Sequence, residues 1–323
     1  MRARSALVSG LALLLLGARR DDAPPPAAGR CAGTAPTAAG SCADCHAPIA
    51  TEWAASAHAK AFTEPRWRAA LARLAQPERC HGCHAPEPVQ NRLGRPPATR
   101  RENQDAGVDC AACHEHRGAL TGPFGSSAEG HSADANPLFR GAESVHLCAA
   151  CHDTRIGPVL PLVRDWRASR AAARGETCVR CHMPREERSV AFDPVGGAAT
   201  GPLREGRSHA LLGPSDPDFA ASAFDVGIAK RGARLELSIT NLAGHRVPGL
   251  VGRSFEFELV QRDAGARELG RGLTAISAEN PLFVDETRRF RFAAETGVRS
   301  AVLTLSHVFA GSRSVVARRE FSW

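Results

Sequence analysis

Cys42-Ala-Asp-Cys45-His46 opens a pattern that the chain repeats four more times: Cys80-His-Gly-Cys83-His84, Cys110-Ala-Ala-Cys113-His114, Cys148-Ala-Ala-Cys151-His152 and Cys178-Val-Arg-Cys181-His182. Two thiols separated by two residues can each add to one vinyl group of the same porphyrin, and the histidine that follows is then held under the iron. Ten of the 11 cysteines fall into this pattern. A disulfide framework, the competing reading for an exported cysteine-rich chain, has no need of a histidine after every second cysteine. Zinc sites require two Cys-x-x-Cys pairs to converge and make no use of that histidine either. The pattern therefore predicts five covalently bound haem c groups. Cys42, Cys45, Cys80, Cys83, Cys110, Cys113, Cys148, Cys151, Cys178 and Cys181 are their attachment residues, and His46, His84, His114, His152 and His182 are the proximal iron ligands.

The intervals between motif starts alternate, 38 residues then 30, and again 38 then 30, as in a duplicated two-motif unit with a fifth motif at its end. A second echo accompanies the first. Trp53-Ala-Ala-Ser56 follows the first motif and Trp166-Arg-Ala-Ser169 follows the fourth; the first continues to His58, whereas Ala171 stands at the matching place in the second. Between Ser41 and about Gly213 too few residues are available per macrocycle for a conventional side-chain core. This region is expected to be a mainly α and irregular multihaem domain with the haems as its core. Pro48 and Pro65 each stand in the first turn of an expected helix, one running to about Ala61 and the other to about Leu74. Gly, Pro and Ser between Gly118 and Gly130 predict a loop.

Eight histidines remain for the far sides of the irons. His58, on a helix leaving the first motif, His209, His131, His146 and His245 are the distal candidates, with His116 in reserve. His116 and His146 each flank a motif by two residues, so either would have to serve a neighbouring haem. His81 lies between its own two attachment cysteines and is set aside. His307, in Val302-Leu303-Thr304-Leu305-Ser306-His307, reads as a solvent-facing strand histidine.

Arginine supplies nearly all of the positive charge, since Lys60 and Lys230 are the only lysines, and the net charge is +7. Haem propionates are better matched to this excess than nucleic acid is, because guanidinium pairs carboxylates through its planar fork. Residues 1–30 read as a signal peptide and N-terminal tail. Arg2 and Arg4 precede an apolar run from Ala6 to Leu16 that is too short to span a bilayer, and no later segment would cross one. Export implies a periplasmic or extracellular site of action. Cys31, the unmatched cysteine, reads as an incidental thiol.

A multihaem domain is thus expected over residues 31–217, and a second domain over 218–323. After Asp218 the cysteines stop and apolar residues alternate with polar ones at Leu235, Leu237 and Ile239, then Phe255, Phe257 and Leu259, then Phe290 and Phe292. This alternation, with turns at Lys230-Arg-Gly232 and Asp263-Ala-Gly265, predicts an antiparallel all-β sandwich of about six or seven strands.

The stretches Cys42 to Ala59, Trp166 to Pro184 and Arg207-Ser-His209 resemble bacterial multihaem cytochromes of the cytochrome c554-like group. Asn241-Leu-Ala-Gly-His245-Arg-Val-Pro248 resembles a segment that opens the β-domain in many of them. The resemblance implies a periplasmic or surface-exposed redox protein of anaerobic respiration, exchanging electrons with partner proteins, and implies that His245 reaches back from the β-domain to a haem. Pentahaem nitrite reductases and hydroxylamine oxidoreductases belong to the wider superfamily. Their chemistries are disfavoured here, since no motif ends in lysine and the chain has no tyrosine. Electron transfer is therefore the expected function. The first alternative is an enzyme acting on a small nitrogen or sulfur compound at one open haem. The second is a subunit of a respiratory complex, a homo-oligomer or a cytochrome filament.

Overall fold

The computed structural model describes residues 42–127, 132–153 and 161–323. The expected signal peptide, Cys31 and His131 lie outside the described residues. Among the described residues, ten short helices run through the first part of the chain: α1 (Cys42–Cys45), α2 (Ala47–Ala55), α3 (Pro65–Leu71), α4 (Glu78–His84), α5 (Cys110–His114), α6 (Val145–His152), α7 (Leu162–Arg167), α8 (Arg170–Ala173), α9 (Cys178–His182) and α10 (Pro217–Ser222). Each attachment motif forms or ends one of them. One helical turn brings two cysteines three residues apart to the same face. Such short helices have little intrinsic stability and depend on caps and tertiary contacts. Glu64 accepts from Trp67 N at 2.8 Å, Asp109 from Ala112 N at 3.0 Å and Asp216 from Phe219 N at 2.8 Å. Prolines occupy the first turns of α2, α3 and α10.

Two helices end earlier than their sequences predict, at Ala55 instead of Ala61 and at Leu71 instead of Leu74. The first stops because Ser56 turns extended and its hydroxyl accepts from Ala59 N at 3.3 Å, offering the backbone a non-helical partner. The expected loop at 118–130 carries short ladders. Ala119–Gly122 runs parallel to Ser132–Ala135, which pairs antiparallel with Ser126–Ser127.

Seven longer strands follow: β1 (Phe224–Arg231), β2 (Arg234–Asn241), β3 (Arg253–Arg262), β4 (Glu268–Ser277), β5 (Thr287–Ala293), β6 (Ser300–Phe309) and β7 (Ser312–Ser322). They form two antiparallel sheets, in the order β4-β3-β6-β7 and β5-β2-β1. The period-two pattern places Leu235, Leu237 and Ile239 of β2 on one inner face and Phe255, Phe257 and Leu259 of β3 on the other, all nearly or fully buried. The hydrophobic cluster built around these residues runs from Ala220 to Val316. The motif-bearing part buries mostly alanines and a few larger side chains such as Trp53, Phe62 and Val163. Leu237 is fully buried between Ile228 and Phe290 of its neighbours. Leu237→Ala is expected to cost about 2–5 kcal/mol of unfolding free energy, read by chemical denaturation.

His307 departs from its expected exposure. It is in phase with Leu303 and Leu305 along β6 and lies opposite Phe255, so the alternation that buries those residues buries it too, at 8% exposure.

Candidate haem-binding sites

Hydrogen bonds repeat with the sequence. Trp53 donates its indole N–H to Val108 O at 2.8 Å, and Trp166 donates to Glu176 O at 2.7 Å. Val108 N in turn donates to His58 O at 2.9 Å, and Glu176 N to Ala171 O at 3.0 Å. Ser56 and Ser169 each bond back to the tryptophan carbonyl through their N–H and accept from the amide three residues on. Val108 and Glu176 both stand two residues ahead of a motif cysteine. Gly107 and Gly175 before them both take positive φ, 62° and 71°. The tryptophan echo is therefore a structural repeat that anchors the approach to the third motif and to the fifth. Its two copies differ where His58 in one is Ala171 in the other.

Four of the motif histidines are oriented by backbone carbonyls. The Nδ1 of His84 lies 2.6 Å from Ala61 O, that of His114 2.9 Å from Thr121 O and that of His182 2.6 Å from Leu212 O; His46 Nδ1 contacts Val190 O. A carbonyl only accepts, so Nδ1 carries the proton and Nε2 keeps its lone pair, the arrangement in which histidine ligates a metal. Two candidate distal residues are held likewise, His209 by Arg207 O at 3.0 Å and His245 by Arg246 O at 2.8 Å. Burial pushes His58 and His114 down to about 4 and His152 to about 3, and lowers His84, His182, His209 and His245 as well. At neutral pH these rings are neutral and able to ligate.

Three candidate distal rings lie across from motif histidines. His58 and His152 have ring centres 6.1 Å apart, His114 and His209 6.2 Å, and His182 and His245 6.3 Å. Two imidazoles on opposite sides of one metal ion, with ~2 Å bonds and ~1 Å from each nitrogen to its ring centre, put their centres ~6 Å apart. The residues present therefore fit an iron between each pair. Further aromatic rings pack on the motif imidazoles: Trp67 on His84 at 4.2 Å, Phe139 on His114 at 4.8 Å and Phe219 on His182 at 5.0 Å. Sequence reasoning singled out none of these three.

His146 is not brought to such a place. It lies two residues before Cys148 on α6, about half a turn round the helix, and is exposed with its ring 3.7 Å from Glu143. His116 is half-buried in a two-residue ladder opposite Ala119.

Nine motif cysteines are free of disulfides, whereas Cys42 is disulfide-bonded. Burial pushes the Cys110 and Cys113 thiols up to about 11 and about 12, the opposite of what a reactive redox dithiol requires. Contacts between motifs set their order in space. Cys83 meets Cys151 within hydrogen-bonding reach, and Cys148 meets Cys178. Cys113 lies in electrostatic range of Cys148 and Cys151, and His46 of His114. The fourth motif thus neighbours the second, third and fifth, and the first neighbours the third.

The β-domain reaches this cluster through the loop after β2. Asn241, fully buried, donates to the carbonyls of His245, Leu282 and Phe283 at 2.9–3.1 Å. Arg246 forms a forked ion pair with Asp165 of α7, at 2.5 and 2.8 Å. Burial pushes the Asp165 carboxyl up, but the Arg246 pairing outweighs it and the net shift is downward. Gly244 packs on Ala171 and Trp166; a Cβ there would stand 3.3 Å from both.

Residues 41–115, which contain the first three motifs, match the family described as cytochrome c554 and c-prime. No curated protein matches the chain. Among solved structures it is similar to a penta-heme cytochrome c552 from Thermochromatium tepidum, with 19% identity and a TM-score of 0.60 over 87% of this chain and 97% of that one. At that identity the likeness shows the fold. Likenesses to a superoxide reductase (12% identity, TM-score 0.21, 31% of this chain and 86% of that one) and to an endonuclease/exonuclease/phosphatase from Beutenbergia cavernae (20%, 0.20, 31% and 24%) carry no argument. The first three attachment motifs thus lie in a segment similar to the cytochrome c554 and c-prime family, the remaining two continue past it, and the chain as a whole shares the fold of a penta-heme cytochrome.

Proposed function

We propose that the chain carries five haems and passes electrons between redox partner proteins in periplasmic or extracellular anaerobic respiration. Haem c, when attached, supplies a one-electron iron couple whose potential the surrounding protein tunes. The observation that carries the reading is the set of three histidine pairs about 6 Å apart, together with contacts that link one motif to the next. Two neutral nitrogens on opposite sides of an iron favour electron exchange over substrate binding, because they leave no position for a substrate. In this reading His58, His209 and His245 are the distal partners of His152, His114 and His182. The ten motif cysteines hold the haems, Cys42 through a thioether in place of its disulfide. Electrons entering at the first motif would pass by the third to the fourth, and from there towards the second or the fifth. The export signal read in residues 1–30 supports the compartment, and among the described residues no helix is long and apolar enough to cross a membrane.

A second reading, an enzyme with one open haem, is favoured at the second motif. The rings packed around His84 there include Trp67, and Phe62 and His81 complete the cluster. Among the described residues no second histidine ring faces His84 at the separation of the three pairs. Two measurements on the purified holoprotein decide. The pyridine haemochrome assay is expected to give five haems per chain, and a lower count would sink the five-haem proposal. On the electron-transfer reading, carbon monoxide added after dithionite leaves the Soret band unchanged, the first and second haems then taking sixth ligands other than the three paired rings. A shift in about one fifth of the haem would instead mark one open iron and favour the enzyme.

A further inference from the structure

One end of the β-sandwich faces the motif-bearing part of the chain, and two buried nitrogens there lack partners. Arg253 begins β3 and Phe309 ends β6 directly opposite it, with His307 and Phe255 the next pair on the same face. His307 Nε2 and Arg253 Nε are both buried without a hydrogen-bond partner. The Arg253 guanidinium lies 4.8 Å over the Phe309 ring, and that of Arg66, from α3, lies 5.5 Å from the same ring. Arg66 also donates to Ser312 Oγ at 3.0 Å. One residue further along α3, Trp67 stacks on His84. The unpartnered pair therefore stands beside the second motif, on the far side of a single short helix.

Leaving a buried polar nitrogen unpaired costs about 1–3 kcal/mol, more when it is charged, so Arg253 Nε and His307 in its Nε2–H tautomer together point to an acceptor that the polypeptide does not supply. The carboxylate of Glu64 acts on Arg253 electrostatically, but one of its oxygens is committed to capping Trp67 N. What the two donors require is a carboxylate brought in from outside the chain, and each haem carries two. We propose that Arg253 and His307 hold a propionate of the haem attached at Cys80 and Cys83, so that the β-domain binds the second haem as well as approaching the fifth through His245. This rests on the haem reading of the second motif. Burial lowers the pKa of Arg253 despite the opposing pull of Glu64, and burial together with the Arg253 charge brings His307 to about 4.

The test is a spectroelectrochemical titration of the holoprotein and of Arg253→Gln. Removing the guanidinium leaves a propionate uncompensated and favours ferric iron. One midpoint potential should fall by about 59 mV or more, a tenfold change in its one-electron equilibrium constant, while the other haems move less. Arg253→Lys should recover most of that shift. An Arg253→Gln protein with its full haem count and unchanged potentials would overturn the proposal. If that variant does not accumulate, redox-difference infrared spectra of the parent and of His307→Leu decide. A displaced propionate carboxylate band supports the site, and superimposable bands remove it. A parent protein without haem on the second motif would instead sink the underlying haem reading, and the haemochrome count detects that separately.

Discussion

Gly107→Ala is expected to turn one haem of the holoprotein from low-spin to high-spin, in about one fifth of the absorbance on the five-haem count. Gly107 takes φ = 62°, and a Cβ built on it would stand 2.4 Å from His58 O and 2.6 Å from Ala59 O. Both obstacles are backbone atoms, so no side-chain rotation relieves them. The φ alone costs an alanine about 1–2 kcal/mol. The clash must also open the bond from Val108 N to His58 O and loosen the one from Trp53 to Val108 O. His58 is thereby drawn away from its place opposite His152. Gly175 is the internal control, for it occupies the matching place in the second repeat with φ = 71° but meets nothing within 4 Å. Gly175→Ala should lose about 1 kcal/mol of stability and leave every haem low-spin. Electron paramagnetic resonance of the ferric proteins separates the two results. Equal spectra for both variants would show that His58 ligates no iron through this contact.

The two glycines also show which parts of the site can be read from sequence. The motifs are legible because their chemistry is local, with two thiols and a histidine within five residues. The tryptophan repeat is equally legible, and Gly107 and Gly175, each three residues ahead of a motif cysteine, extend it by a signal that sequence reading missed. The sandwich follows from alternation along Leu235 to Ile239 and Phe255 to Leu259. The same alternation, followed to position 307, places His307 on the inner face. What could not be read is which partner each histidine takes. His58 leaves the first motif yet lies opposite His152 of the fourth, and His245 crosses from another domain to His182. These pairings depend on how short helices stack, and little in a short helix's own sequence encodes its neighbours. His146 shows the converse. Nearness to a motif along the chain suggests a ligand, but half a turn of helix points it at solvent.

Asp165→Ala is expected to release His245 from the cluster. Asp165 receives three hydrogen bonds from Arg246, through the backbone N–H, Nε and Nη2. The two side chains are only 10% and 20% exposed. Removing one member of a pair buried to this degree costs about 3 kcal/mol, since the other is left without its counter-charge, and that exceeds a hundredfold in the docking equilibrium. Arg246 stands next to His245 and its carbonyl orients that ring, so the ion pair holds the ligand-bearing loop against α7. The variant should show a high-spin fraction, faster proteolysis between the domains and a lower unfolding midpoint. Arg246→Leu should do the same, and the double variant should cost less than the sum of the two. The pH dependence has a definite sign. The carboxyl of Asp165 titrates below its ordinary value of 3.8, so the pair's contribution is fully present above about pH 4–5 and is lost as pH falls through the lower, folded-state value. The stability gap between parent and Asp165→Ala should therefore be constant through neutral pH and close only below about pH 4. A gap that is already absent at pH 7, with unchanged spin state, would mean that other contacts of the loop, those of Asn241 and of Gly244 on Ala171, seat His245 without the ion pair.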